Sequence, residues 1–287
     1  QEAGYSTAIV GKWQMGSSRQ MVPKLGFDES FLAQVELYKE CRDVHKTDRF
    51  ANSYFDNNGK RYDYCPYGPD AMEDYALDYI DRKVEAGEPF MLYFTEPLVH
   101  TPHVTTPDSH DWDWNYESRF TAGQDTSYFR DMVKYLDKQV GNMVAHLKEK
   151  GVWDNTIFIF SADNGTSTRI VSKQKDGSRI RGGKGSPTYR GTHVPLIVAW
   201  GDKVAGRTSD RIVDLTDIFP TIADICGIEI PQEWNIQGVS LYPELCGEEP
   251  LEKELSLVHF NPLWPTTPAP YASRYAMNDV YAYFWDG

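Results

Sequence analysis

Four stretches of the sequence carry side chains that could do chemistry. Asp163-Asn164-Gly165 offers a carboxylate and an amide oxygen side by side, hard donors of the kind Ca²⁺ or Mg²⁺ takes. The same tripeptide is also an ordinary Asx turn completed by glycine. His100-Thr101-Pro102-His103 sets two imidazoles around a rigid proline, able to hold a metal or an oxyanion, or simply to cap backbone groups. Residues 166–193 hold Arg169, Lys173, Lys175, Arg179, Arg181, Lys184 and Arg190 against one acid, Asp176. That is a local charge of +6 in a chain of net charge −13. Like charges held together destabilise unless an anion meets them, although a solvated basic loop is the plain alternative. Within it, Gly182-Gly183-Lys184-Gly185 lets backbone and ammonium approach a small anion closely. It is not a phosphate loop of the Gly-x-x-x-x-Gly-Lys-Ser/Thr type. Gly11-Lys12-Trp13-Gln14 adds one more lysine.

The surrounding pattern must position these groups. A short β-compatible run over 6–10 ends at Gly11. Residues 36–67 show no period and read as a long surface excursion. Helical spacing of Met72, Tyr75, Ala76, Tyr79, Ile80 and Val84 predicts a helix over 70–84, with Asp70 and Glu73 resembling a capping box and Gly87 and Pro89 stopping it. The apolar run 90–95 predicts a strand buried on both faces. Met132, Val133, Leu136, Val140, Met143, Val144 and Leu147 mark a second helix ending near Gly151. Buried strands are expected over 156–161 and 194–200, and a helix over 216–225 closed by Gly227. Alternating helices and buried strands argue for an α/β layered fold, in which ligands gather at the carboxyl ends of strands. That rule selects Lys12, the segment 97–103, the turn 162–165 and the basic loop. Past about residue 231 the pattern weakens, so the expected division is a main domain over 1–231 and the start of a small C-terminal subdomain over 232–287.

Composition narrows the function classes. The chain has 287 residues, 40% hydrophobic and 25% charged, which excludes a wholly disordered chain. No apolar run reaches the roughly 18 residues of a membrane span. The acidic balance argues against general nucleic-acid binding, which needs a basic face. Cys41, Cys65, Cys226 and Cys246 form no Cys-x-x-Cys pair; a Cys41–Cys65 disulfide and four free thiols both stay open. The chain starts at Gln1 and stops at Asp286-Gly287 behind an aromatic run, so both ends read as cut.

Together and in this order the motifs resemble the sulfatase family of the alkaline phosphatase superfamily. Gly4-Tyr5-Ser6-Thr7-Ala8-Ile9-Val10-Gly11-Lys12-Trp13 is similar to the family signature Gly-Tyr-x-Thr-x-x-x-Gly-Lys-Trp. His100-Thr101-Pro102, with Pro107-Asp108-Ser109 after it, resembles the His-x-Pro segment. Ser161-Ala162-Asp163-Asn164-Gly165 resembles the metal-binding strand end. Arg181-Gly182-Gly183-Lys184-Gly185 and Gly191-Thr192-His193-Val194-Pro195-Leu196 resemble the Gly-Gly-Lys-Gly segment and the next strand, and Asp217-Ile218-Phe219-Pro220-Thr221 the helix that follows.

The resemblance implies an α/β fold with a mixed, mostly parallel sheet sandwiched between helices. It implies hydrolysis of sulfate esters of a small molecule or glycan. Lys12, His100 and Lys184 would be catalytic, Gln14, His103 and Arg181 would bind substrate, and Asp163 and Asn164 would ligate a divalent cation, Ca²⁺ first. Two protein oxygens are few against the roughly six to eight that Ca²⁺ takes, so weak binding is expected. Gln14 stands where the family has histidine, and glutamine cannot shuttle a proton. The family's Asp-Asp metal pair and the Cys/Ser-x-Pro-Ser-Arg motif that yields the formylglycine nucleophile are not in these 287 residues. The chain therefore reads as part of a sulfatase, inactive by itself, with formylglycine expected in a missing N-terminal region. Two alternatives stay open: a phosphodiesterase or phosphonate hydrolase of the same superfamily, and a non-catalytic binder of sulfated glycans. Family resemblance suggests a periplasmic or secreted protein. An open sheet edge, left where that region belongs, suggests a homo-oligomer. Lys12, His100, Asp163 and Lys184 are expected to converge on one pocket.

Overall fold

The computed structural model describes residues 3–34, 50, 53–63, 67–114, 125–253, 256–259 and 280–283. Cys41 and Cys65 lie outside them; Cys226 and Cys246 are free thiols. The chain divides into two units, Gln1–Trp153 and Asp154–Gly287.

The first unit is built on a five-stranded sheet. Strands β1 (Ser6–Trp13), β2 (Glu29–Gln34), β3 (Tyr54–Asn57), β4 (Lys60–Asp63) and β5 (Phe90–Thr95) lie in the order β4-β3-β2-β1-β5. β1 runs parallel to β2 and β5, while β3 and β4 add an antiparallel hairpin, so the sheet is mixed. β1 is central because its residues are apolar on both faces: Ala8, Ile9 and Val10 are all buried.

Alternation along the strands sends successive side chains to opposite faces. Val10, Phe31 and Phe55 pack with Ala71 and Met72 of helix α2 (Gly68–Ala86). Ile9, Trp13 and Leu32 pack with Val22 of helix α1 (Ser18–Lys24). The sheet is thus covered by a helix on each face. Arg82 of α2 grips the Glu29 carboxylate with bonds of 2.9 and 2.7 Å. Those bonds hold Glu29 below the usual carboxylate range and tie α2 to β2. Helix α3 (Phe129–Glu149) follows, burying Met132, Tyr135, Gln139, Met143 and Leu147.

Three expectations change here. The segment 36–67 is not all surface: Phe50, Phe55 and Tyr67 are buried, and β3 and β4 lie within it. The hairpin turns through Asn58 and Gly59, with φ of 51° and 80°, the left-handed pair that Asn-Gly favours. The capping box at α2 is absent. The helix starts earlier, with Pro69 in its first turn, and the Asp70 carboxylate instead accepts a hydrogen bond of 2.7 Å from Tyr135. Strand β5 is not buried on both faces. Among the described residues it is the outer strand, and Met91 and Tyr93 are 37% and 53% exposed. Leu92 and Phe94, on its other face, pack toward α2.

In the second unit β6 (Phe158–Ser161) pairs antiparallel with β9 (Leu196–Ala199). Between them come the hairpin β7 (Val171–Lys173) and β8 (Arg179–Arg181) and the short helix α4 (Tyr189–Thr192). Neither β6 nor β9 is fully buried, and Ile197 is 59% exposed. Helices α5 (Ile218–Ile225) and α6 (Tyr242–Leu245) and the strand pair β10 (Ser256–His259) and β11 (Val280–Tyr283) complete the unit.

Asp217 ties the later part of this unit together. Its side chain is buried and accepts from the backbone N–H of Asp214 and Val239, at 3.0 and 2.7 Å, and from Lys253 Nζ at 2.7 Å. Lys253 also reaches Asp214 at 2.8 Å. A buried carboxylate left without its cation is costly, so Lys253→Ala is expected to lower unfolding free energy by about 3 kcal/mol. Urea denaturation checks this; a loss typical of an exposed ion pair would show that Asp217 does not depend on Lys253.

Candidate functional site

The first unit supplies one group of candidate residues. Lys12 is the penultimate residue of β1 and is half-buried. Gly11 before it has φ of 114°, and a Cβ there would lie 2.2 Å from the Thr95 carbonyl oxygen. Only glycine lets β1 and β5 close up at this point. Thr95 Oγ1 then meets the carbonyl oxygens of Val10 and Lys12, at 3.1 and 2.8 Å. The parallel register Gly11↔Thr95 puts Lys12 at the same carboxyl edge as the loop after β5.

That loop carries His100, half-buried, whose N–H donates to Pro97 O at 2.9 Å. Its Nδ1 lies 2.8 Å from the Thr101 carbonyl oxygen and 3.2 Å from Thr101 Oγ1; the carbonyl only accepts, which favours the tautomer with the proton on Nδ1. In the neutral ring Nε2 is then the basic nitrogen; protonated, it donates to an anion. Gln14 is exposed in the turn after β1, where Trp13 Nε1 donates to Gly16 O at 2.6 Å. His103 departs from its expected role. It is fully buried and packs edge-on to Phe129 at 5.5 Å, a core group rather than one facing a substrate. Farther along the loop Ser109 Oγ donates to Asp131 of α3 at 3.0 Å, which pins the segment.

Glu96 is a residue the sequence reading missed. It follows β5 directly, its Oε1 accepts from Leu98 N–H at 3.0 Å, and its Oε2 is buried without a hydrogen-bond partner. Burial pushes its pKa up to about 8, the Leu98 N–H pulls the other way, and the nearby Glu73 and Asp70 carboxylates add to the rise. Glu73 is raised too, first by burial. Its signal in the sequence is a carboxylate directly before Pro97, at a strand end.

The second unit supplies the other group, held by backbone-on-backbone packing. Gly165 N–H donates to Gly191 O at 2.9 Å, and a Cβ on Gly165 would lie 2.1 Å from Arg190 O. Lys184 N–H donates to Thr166 O at 3.0 Å. A Cβ on Gly182 would meet Ser167 O at 2.3 Å, and one on Gly183 would meet Arg190 Cβ at 2.7 Å. The turn Asp163-Asn164-Gly165 and the Gly182–Lys184 turn are therefore one folded loop cluster, joined through Arg190 and Gly191. Asp163, Lys184 and Arg181 are exposed on it, with Arg181 Nη1 donating to Thr168 O at 2.9 Å. Lys184 and Arg181 thus put an ammonium and a guanidinium on the exposed side of this cluster.

Asp163 and Asn164 fit an oxygen-preferring divalent cation by donor type. Among the described residues no group of three or more His, Cys, Asp or Glu is arranged to hold a metal ion.

Two outcomes follow. Gly165→Ala is expected to destabilise by about 1–3 kcal/mol, because Arg190 backbone must move, and thermal unfolding reads it. Glu96→Gln is expected to change the pH profile of stability. Glu96 keeps its proton in the folded state up to about pH 8, whereas the unfolded chain releases it near the ordinary glutamate value of 4.5. Stability from this site therefore falls as pH rises through that window. The variant, neutral throughout, gains on the parent between pH 5 and 8 and matches it near pH 4. Parallel profiles would refute the assignment.

Comparison with known proteins adds to this geometry. A family model described as Sulfatase matches residues 1–228. The chain is 28% identical to the uncharacterized sulfatase YdeN of Escherichia coli K12, over 93% of this chain and 48% of that protein. It is 26% identical to the N-acetylgalactosamine-6-sulfatase of the dog, over 96% of this chain and 52% of that protein. It spans about half the length of the curated relatives it matches. Among solved structures, the crystal structure of Ps i-CgsB matches with a TM-score of 0.72 at 25% identity, covering 91% of this chain and 59% of the other. With the α/β layering, the Gly-Lys strand end and the Asp-Asn and Gly-Gly-Lys turns in place, the chain belongs to the sulfatase family.

Proposed function

We infer that this chain carries the anion-handling part of an enzyme that hydrolyses sulfate esters of a glycan. The observation that carries the reading is the packed loop cluster of the second unit, which holds Asp163-Asn164 and Lys184 in one fold inside a family match over 1–228. The glycan class is supported by a related structure, Ps i-CgsB in complex with k-i-k-neocarrahexaose, 26% identical to this chain with a TM-score of 0.71. The phosphodiesterase alternative is not favoured, because the relatives compared carry sulfatase names.

In this reading Lys12 and Lys184 bind the sulfate oxygens and neutralise the negative charge that grows on the leaving oxygen as the sulfur–oxygen bond breaks. His100, with Nδ1 held by the Thr101 carbonyl, presents Nε2 to the sulfate or the leaving oxygen. Arg181 and Gln14 add hydrogen-bond donors to the bound substrate. Asp163 and Asn164 contribute two oxygens to a divalent cation, Ca²⁺ by donor chemistry. The cation would polarise the sulfate, and a formylglycine hydrate from outside these 287 residues would supply the nucleophile.

Export to the periplasm or outside the cell fits the family habit; no helix among the described residues is long and apolar enough to cross a membrane. Pairing of a second copy along β5 remains our proposal for oligomer formation, testable by light scattering.

The test uses an aryl sulfate. The 287-residue chain alone is expected to give no turnover, and the product of the whole gene is expected to turn it over. Lys184→Ala in that product should lower kcat by about 10²–10³, the loss seen when one donor to a developing oxyanion is removed. Lys184-dependent turnover by the 287-residue chain would overturn the division of roles, and no turnover by the whole product would overturn the sulfatase reading.

A further inference from the structure

The hairpin of β7 and β8 stands out from the rest of the molecule by charge. Its register pairs Lys173 with Arg179 and Val171 with Arg181. Side-chain alternation therefore puts Lys173, Arg179 and Arg181 on one face, with Ser172 and Ile180 on the other. The three cations are exposed. Among the described residues none of the ion pairs involves them. Asp176, the one acid of the hairpin, sits in its turn and accepts the Ser178 N–H at 2.9 Å. Like charges directly opposite across two strands destabilise a sheet; among the described residues no acidic side chain pairs with this face, and Arg181 Nη1 donates to the Thr168 carbonyl oxygen at 2.9 Å.

The hairpin also grows from the loop cluster of the site. Ile170, just before β7, accepts from Gly182 N–H at 3.0 Å just after β8. Its two ends are therefore clamped beside the Lys184 turn.

We propose that this face is a subsite for a further sulfate group of a sulfated glycan chain, so that the substrate is multiply sulfated. The proposal rests on the sulfatase reading above. The cations cover a patch about 7 Å along the strands and about 5 Å across them, more than one sulfate fills. The guanidinium forks of Arg179 and Arg181 suit the paired oxygens of a tetrahedral oxyanion. A nucleic acid fits less well. The hairpin face itself, residues 171–181, carries no aromatic side chain on which bases could stack, the nearby Tyr189 is stacked on His193, and the chain carries a net charge of −13.

Binding is measured by titration calorimetry without turnover, with a sulfated dextran oligosaccharide, its unsulfated parent and a single-stranded DNA oligonucleotide of equal charge as probes. The parent chain is expected to bind only the sulfated dextran well, with affinity falling as salt rises. Lys173→Ser with Arg179→Ser should weaken that binding about tenfold at low salt. The variant's thermal midpoint should not fall, because a like-charge contact is removed. Unchanged affinity overturns the subsite. Equally tight, variant-sensitive DNA binding shows a general polyanion surface and overturns the glycan assignment. A drop in thermal midpoint that accompanies the lost affinity shows a structural role. None of these outcomes touches the hydrolytic reading, which fails separately if the whole gene product lacks Lys184-dependent turnover.

Discussion

Backbone packed directly on backbone at strand ends is the constraint on which both groups of candidate residues depend. At the end of β1, Gly11 lies against the Thr95 carbonyl; at the end of β6, Gly165 lies against Arg190. A methyl group at either place would occupy space already taken by a carbonyl oxygen. The close approach fixes where the next side chains emerge, Lys12 in one case and the loop with Lys184 in the other. It also satisfies backbone donors and acceptors that would otherwise be left open in a turn. Lysine and arginine are long and flexible, so precision in each group comes from the main chain rather than from the charged side chains themselves.

Charge is distributed to match that division. Two enclosed carboxylates show how the interior handles charge. Asp217 keeps its charge through Lys253 and two backbone donors. Glu96, with one backbone donor and two carboxylates nearby, is driven toward its protonated form. The cations of the loop between β6 and β9 are instead turned outward. An unpaired charge is costly in an interior and tolerated on a surface loop, where solvent or an anion can meet it.

Much of this was legible in the sequence. The unbroken apolar run 90–95 and the 3.6-residue spacing of Met132 to Leu147 marked β5 and α3, because periodicity is imposed by covalent geometry and needs no knowledge of partners. Gly87 and Gly151 ended helices as expected, since both occupy left-handed conformations with φ of 66° and 70°. The order of the Gly-Lys, His-x-Pro, Asp-Asn-Gly and Gly-Gly-Lys motifs was enough to reach the family. Other features were not legible. The β3–β4 hairpin was passed over although Asn58-Gly59 announced its turn, because the flanking strands are only four residues long and mix aromatic with charged side chains.

The sequence by itself determined which residue types can take up an anion and a cation, and the alternation of helices and strands that carries them. Those follow from side-chain chemistry and backbone periodicity, both local properties. Only the tertiary structure decided exposure and proton affinity. It made His103 a core residue while leaving its near neighbour His100 half-buried, and gave β5 an exposed face despite its apolar run. It also raised Glu96 by enclosing it. It joined the Asp163 and Lys184 turns across twenty residues of loop through Gly165 and Gly191. Burial depends on what packs against a side chain, and those neighbours come from distant parts of the chain that no local pattern names.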